Sequence, residues 1–237
     1  MHHHTKRGEA IRRMVIIAMF CAMAYVVMLL IHIKVGFLTL DVKDAVITLC
    51  GLCFGPASAL IVSIVVPVFE LAVSSTGYYG LIMNILGSVA FSVTASLIYK
   101  YKKTLLGAIA ALLSGAFFMV AVMLVANLVV TPYYMGVTAE AVREMIPTLL
   151  FPFNLLKAIA NVGVVLLLYK PVSRALRRAG FLPRRGVTEN DESAVLAKSK
   201  SRMTTVIIAV VAVLLITASM VLIFTVFDGV FDFGLSK

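Results

Sequence analysis

The sequence predicts an all-α membrane protein: a bundle of six transmembrane helices followed by one additional C-terminal transmembrane helix. Three observations carry this reading. Hydrophobic residues make up 62% of the 237 residues and charged residues only 14%, with a mean hydropathy of +1.06, far above a soluble domain. The apolar residues fall in long runs rather than alternating ten-residue strands, which selects helices over a barrel because each helix satisfies its own backbone. The net charge of +10 is confined to segments flanking those runs, so it reports topology and gives no reason to expect nucleic acid.

Residues 1–13 form a basic start carrying Lys6, Arg7, Arg12 and Arg13. His2, His3 and His4 are a tag remnant or a natural polar start and enter no metal argument. Residues 14–33 are the first crossing, without a signal peptide's cleavage pattern, and Ala18, Ala22 and Ala24 give it small side chains that allow close approach of a partner helix. Residues 34–43 read as a short mixed loop, with Asp41 and Asp44 bracketing the next helix start, where carboxylates suit the helix dipole.

The apolar stretch 45–73 is too long for one straight helix and contains Gly55-Pro56, which divides it into helices 45–54 and 55–73. Pro67 is placed to kink the second, and Glu70 near its far end is either interfacial or a site residue. After a polar turn at 74–79, residues 80–99 form the fourth crossing, with Asn84 near its start. Residues 104–130 form the fifth, with Asn127 near its far end. Residues 135–147 read as a loop and 149–169 as the sixth crossing, closing a membrane domain at 14–178. A polar linker at 179–202, a seventh crossing at 203–227 and a short acidic tail at 228–237 follow. Cys21, Cys50 and Cys53 lie in apolar context and predict core packing rather than disulfides.

Basic residues orient the layout. Four precede the first crossing, three follow the fourth and nine lie between 170 and 202, so sixteen of the 21 share one side. That side is predicted to be cytoplasmic, with the N-terminus there and the C-terminus outside. The opposite side carries Asp41, Asp44, Glu140 and Glu144.

Polar residues inside apolar runs mark candidate function. Asn154, Lys157 and Asn161 stand at i, i+3 and i+7, within an arc of about 60° on one helix face. An intramembrane Lys costs on the order of 3 kcal/mol on insertion scales, so such a stripe faces a bundle interior and what it binds, or Lys157 snorkels while the Asn residues bond neighbouring helices. Asn amides match the edge of a heterocycle with alternating carbonyl and N–H groups. Phe151, Phe153, Tyr78, Tyr79, Tyr133 and Tyr134 lie at the same level, as an interfacial belt or as walls for a flat ring. No phosphate-binding loop, HExxH or activated nucleophile is legible, so no enzymatic activity is predicted and transport would need energy from other subunits.

In order and spacing, Leu38-Thr39-Leu40-Asp41-Val42-Lys43-Asp44, Phe54-Gly55-Pro56, Asn84-Ile85-Leu86-Gly87, Asn127 and Pro152-Phe153-Asn154-Leu155-Leu156-Lys157 resemble the substrate-binding S components of energy-coupling factor (ECF) vitamin transporters, most closely the riboflavin-binding members. The resemblance implies a six-helix S-component bundle with an outward pocket, polar flavin contacts from Asn127, Asn154 and Lys157, enclosure by Leu38 to Asp41, and a further candidate contact at Asn84; Glu70 is a candidate ligand contact as the nearest polar group where helix three departs from the family. It implies a membrane-embedded coupling subunit contacted through Ala18 and Ala22, working with two ATPase subunits that drive toppling in the bilayer. Where riboflavin-type relatives carry a polar Lys-Asn pair late in helix three, Val66-Pro67 stands here, and the seventh helix is extra to the family core. Riboflavin is thus the expected transported ligand, with no cofactor; flavin nucleotides or another vitamin, a lipid-acting membrane enzyme using Asp41 and Asp44, and a scaffold subunit are the alternatives.

Overall fold

The structure, a computed structural model, describes residues 2–182 together with residues 210, 213, 214, 217, 231 and 232. Most of the linker 179–202, the seventh crossing 203–227 and the tail 228–237 therefore lies outside the described residues. The chain runs α1 (His2–Leu30), β1 (His32–Val35), β2 (Leu38–Asp41), α2 (Lys43–Phe54), α3 (Pro56–Glu70), α4 (Gly77–Tyr101), α5 (Leu105–Met135), α6 (Ala139–Met145), a π-helical turn (Ile146–Leu150), α7 (Phe151–Arg178) and β3 (Phe231–Asp232).

Among the described residues, four helical stretches are long and apolar enough to cross a membrane: Ala10–Leu30, Gly77–Tyr101, Leu106–Met135 and Ala139–Arg178. At 1.5 Å per residue α2 and α3 reach only about 18 and 22 Å, short of a hydrocarbon core of about 30 Å. The six predicted crossings thus resolve into four helices of spanning length and two shorter ones. Gly55 makes the break between those two, adopting φ 97° ahead of Pro56, which opens α3 at a position needing no donor.

The core lies where α1, α2, α4, α5 and α7 meet, around Phe20, Ile47, Leu49, Phe91, Leu112 and Val165. Cys50 is buried in it, and all three cysteines are free thiols. Close approach depends on Gly51: a Cβ there would stand 1.9 Å from Ser96 Oγ and 2.7 Å from Ala59 Cβ. Gly51→Ala is expected to destabilise the protein by about 1–3 kcal/mol despite Ala's better helix propensity, because packed interiors resist overfilling. A lowered melting temperature in detergent, which Ser96→Ala would relieve only in part, checks this.

Two segments read as loops are ordered. Of residues 34–43, all but the last two belong to a β-hairpin, with His32 opposite Asp41 and Val35 opposite Leu38 around the turn Gly36-Phe37, and Lys43 already opens α2. Gly36 sits at φ 59°, the positive-φ position such tight turns require. A small sheet therefore joins the otherwise helical fold, and β3 extends it antiparallel on the free edge of β1. Residues 135–147 contain α6 and the start of the π-helical turn, capped by the Thr138 hydroxyl accepting from the Ala141 N–H. This second helix feeds directly into α7 and sets the angle at which Asn154 and Lys157 enter the bundle.

Candidate functional site

A cavity of 240 Å³ opens at the hairpin end of the bundle, roofed by Phe37, Leu38 and Thr39 and walled by α1, α3, α4, α5 and α7. Asn127, Asn154 and Lys157 all line it, as do Asn84 and Glu70. The three nitrogen-bearing side chains converge from two helices without bonding to one another. Asn154 Nδ2 donates to the Leu150 carbonyl at 2.8 Å, and Asn127 Nδ2 to the Met123 carbonyl at 2.7 Å. Each amide is held by its own helix four residues back, which fixes its rotamer and leaves its remaining hydrogen-bonding capacity toward the space between. Thr131 Oγ1 steadies Asn127 further by donating to its Oδ1 at 2.9 Å.

Lys157 does two things. Its Nζ donates to Asp41 Oδ2 at 2.9 Å and to the Thr39 carbonyl at 3.4 Å, tying the hairpin to α7. One of its three donors then remains for a ligand. Asn161, the third member of the stripe, is absent from the cavity wall. It accepts from the Ala45 N–H at 2.8 Å and donates to the Asp41 carbonyl at 3.2 Å, clamping the start of α2 to α7. The helical period puts all three on one face; depth along the helix separates the two that line the cavity from the one that braces α2.

The enclosing segment divides similarly. Leu38 and Thr39 face the cavity, whereas Leu40 packs with Val35, Phe153 and Leu156 and Asp41 enters a buried ion network. Lys43, fully buried, donates to Glu70 Oε1 and Oε2 at 2.8 and 2.7 Å and to Asp41 Oδ2 at 3.4 Å. The sequence places Lys43 in a loop, and its role as the bridge between hairpin and α3 was not expected. A cation flanked by Asp41 and Asp44 before an apolar run was the available signal. Asp44 does not merely suit the helix dipole: its carboxylate accepts from Ser88 Oγ of α4, and Val42 at the N-cap makes no side-chain cap.

Burial alone would raise the Asp41 carboxyl, but Lys157 and Lys43 overcome this by charge and hydrogen bonding and hold it at about 2, below its ordinary 3.8. A carboxyl lowered on folding stabilises above its unfolded value and loses that contribution as pH falls through the folded one. The stability difference between the native protein and Asp41→Asn is therefore expected to be constant from pH 7.5 to about 5 and to shrink below about pH 4, as read by thermal unfolding at each pH.

The predicted aromatic cluster splits. Tyr79, Tyr134 and Phe153 line the cavity, with Tyr79 and Tyr134 at 6.0 Å between centroids and Phe37 of the hairpin 6.3 Å from Tyr134. Tyr78, Tyr133 and Phe151 are exposed and off the cavity wall, while Tyr79 and Tyr134 line the cavity with 43% and 36% of their surface still exposed. Sequence reasoning missed the Ser74-Ser75-Thr76 wall, His32 and Lys34 as lining residues. A polar turn looks the same in sequence whether it borders water or a pocket. At the bundle's outside, Ala18 and Ala22 line a separate, almost wholly apolar groove with Tyr25, Ile61 and Phe69.

Residues 12–169 match the family model described as "ECF transporter, substrate-specific component". The chain is 29% identical over 176 residues to the riboflavin transporter RibU of Staphylococcus aureus (strain TCH60), an alignment covering 70% of this chain and 93% of that protein. A solved structure titled "Structure and mechanism of the S component of a bacterial ECF transporter" superposes with a TM-score of 0.61 at 28% identity, covering 70% of this chain and 98% of that one.

Proposed function

The chain belongs to the family of ECF transporter substrate-specific components, and from that membership we propose that it captures riboflavin in the cavity beneath the β1–β2 hairpin. It is a membrane transport component, not an enzyme. The observation that carries the ligand is the convergence of Asn127, Asn154 and Lys157 on one enclosed space with aromatic walls. Carboxamides and an ammonium offer the donors and acceptors that the carbonyl and N–H edge of an isoalloxazine requires, and Tyr79, Tyr134 and Phe153 supply apolar surface for its faces. At 240 Å³ the cavity lies below the usual ligand-site range of about 300–1,000 Å³, so admitting a flavin requires the hairpin roof to yield.

Glu70 and the Ser74-Ser75-Thr76 turn form the polar wall facing the ligand's polyol chain, in place of the Lys-Asn pair expected on α3. Asn84 completes that wall from α4. The hairpin end faces outward, as the distribution of basic residues requires, with the N-terminus cytoplasmic and the C-terminus external. The Ala18 and Ala22 groove takes the membrane-embedded coupling subunit, and two ATPase subunits supply the energy. The membrane domain is 14–178, with the linker and seventh helix appended to it.

Purified protein is expected to carry flavin absorbance, and the apoprotein to quench riboflavin fluorescence saturably at one ligand per chain. A colourless protein that quenches nothing overturns the proposal. Asn154→Ala and Asn127→Ala are each expected to weaken binding by about 1–3 kcal/mol, the range for a buried partner left unsatisfied, measured in the same titration. Flavin mononucleotide competing better than riboflavin would shift the ligand within the class.

A further inference from the structure

A second cavity, of 380 Å³, lies at the opposite end of the bundle, between the end of α4, the start of α1 and the α2–α3 break. Arg13, Lys100 and Lys103 line it, and among the described residues no acidic side chain does. Arg13 is steadied by donating from Nη2 to Ser58 Oγ at 3.3 Å. The floor is Leu52, Cys53 and Phe54, so charge at the mouth stands over an apolar base. From Arg13 to Met28 of the first cavity α1 rises about 22 Å, which places the two cavities at opposite membrane faces.

Three exposed cations around one concave site set a positive field there that favours an anion. Scattered basic residues at a membrane edge are explained by topology alone, but these three come from two chain segments far apart in sequence and meet over a cavity with apolar depth. We propose that this cavity binds the phosphate of an anionic phospholipid, with the headgroup among Arg13, Lys100 and Lys103 and the first acyl carbons over Leu52 and Phe54. A phosphodiester of net negative charge is the recognised chemistry, since three cations would repel the ammonium of a zwitterionic headgroup, and the apolar floor favours a lipid over a free anion; basic pockets between transmembrane helices take lipid headgroups in this way. A bound lipid there would fasten α1 to the α2–α3 break, away from the ligand cavity.

The test uses the full-length protein, delipidated in a neutral detergent. Native mass spectrometry and thermal unfolding are run with phosphatidylglycerol, phosphatidylcholine or inorganic phosphate added. One phosphatidylglycerol is expected to be retained per chain and to raise the melting temperature, with phosphatidylcholine and phosphate much weaker. Arg13→Gln, Lys100→Gln and Lys103→Gln are each expected to lower phosphatidylglycerol affinity about fivefold, with riboflavin quenching unchanged as proof of folding. Equal retention of the two lipids by the native protein overturns the proposal whatever the variants do. Stabilisation by inorganic phosphate equal to that by phosphatidylglycerol overturns the lipid source. Variants that keep the lipid but lose the coupling subunit overturn it in favour of a protein contact. Loss of riboflavin binding by the native protein would count against the transport ligand and leave these comparisons standing.

Discussion

Lys157→Ala is expected to lower riboflavin affinity by about 100-fold, the largest single effect among the lining residues. The change removes a donor at the cavity wall and, with it, the strut from α7 to Asp41 and the Thr39 carbonyl at 2.9 and 3.4 Å. Losing a charged hydrogen bond to the ligand costs about 1.5–3 kcal/mol, and the roughly 3–5 kcal/mol that a stranded partner costs the fold reaches affinity only as far as it unseats the hairpin. The lower end of that stranding cost applies here, since Lys43 remains 3.4 Å from Asp41. Fluorescence titration of the variant checks the size. Adding Asp41→Asn to Lys157→Ala is expected to recover part of the loss by removing the stranded charge, a coupling that a double-mutant cycle reads directly. Losses that add without coupling would show that Lys157 acts on ligand alone.

Lys43→Met is expected to destabilise the fold by about 3–5 kcal/mol. Lys43 is wholly buried and lies between Asp41 of the hairpin and Glu70 of α3. Without it two carboxylates face each other with Lys157 as their remaining cation. Lys43→Met combined with Glu70→Met is expected to recover most of the stability, because replacing a buried pair by apolar groups of similar size is often neutral or better. Chemical unfolding in detergent separates the cases. A single variant as stable as the native protein would mean the ion network contributes nothing to holding the hairpin down.

Much of this was legible because lipid gives polar groups no partner. Asn127, Asn154 and Lys157 stand out in sequence for that reason, and helical period alone puts the last two on one face. The hairpin was hidden because its strands are four residues each and their alternation is interrupted by Gly36-Phe37. Its seating over the cavity depends on Lys43 and Lys157 reaching Asp41 from two helices, a tertiary fact no local pattern encodes. Asn161 shows the limit of that logic: it shares a helix face with Asn154, and depth in the bundle decides which of them faces the cavity. Tyr78 and Tyr79 make the point in reverse, since neighbouring residues about 100° apart on a helix cannot both turn inward. Glu70 was recognisable as an anomaly in α3, but whether it meets water or Lys43 depended on where the hairpin folds.

A structure of the riboflavin-bound protein measures the central claim most directly. The flavin ring is predicted to lie beneath Leu38 and Thr39, with its heteroatom edge within hydrogen-bonding distance of Asn127, Asn154 and Lys157 and its polyol toward Glu70 and Ser74 to Thr76. Flavin density in any other cavity, or a ring in this cavity whose heteroatom edge turns away from all three side chains, would contradict the account.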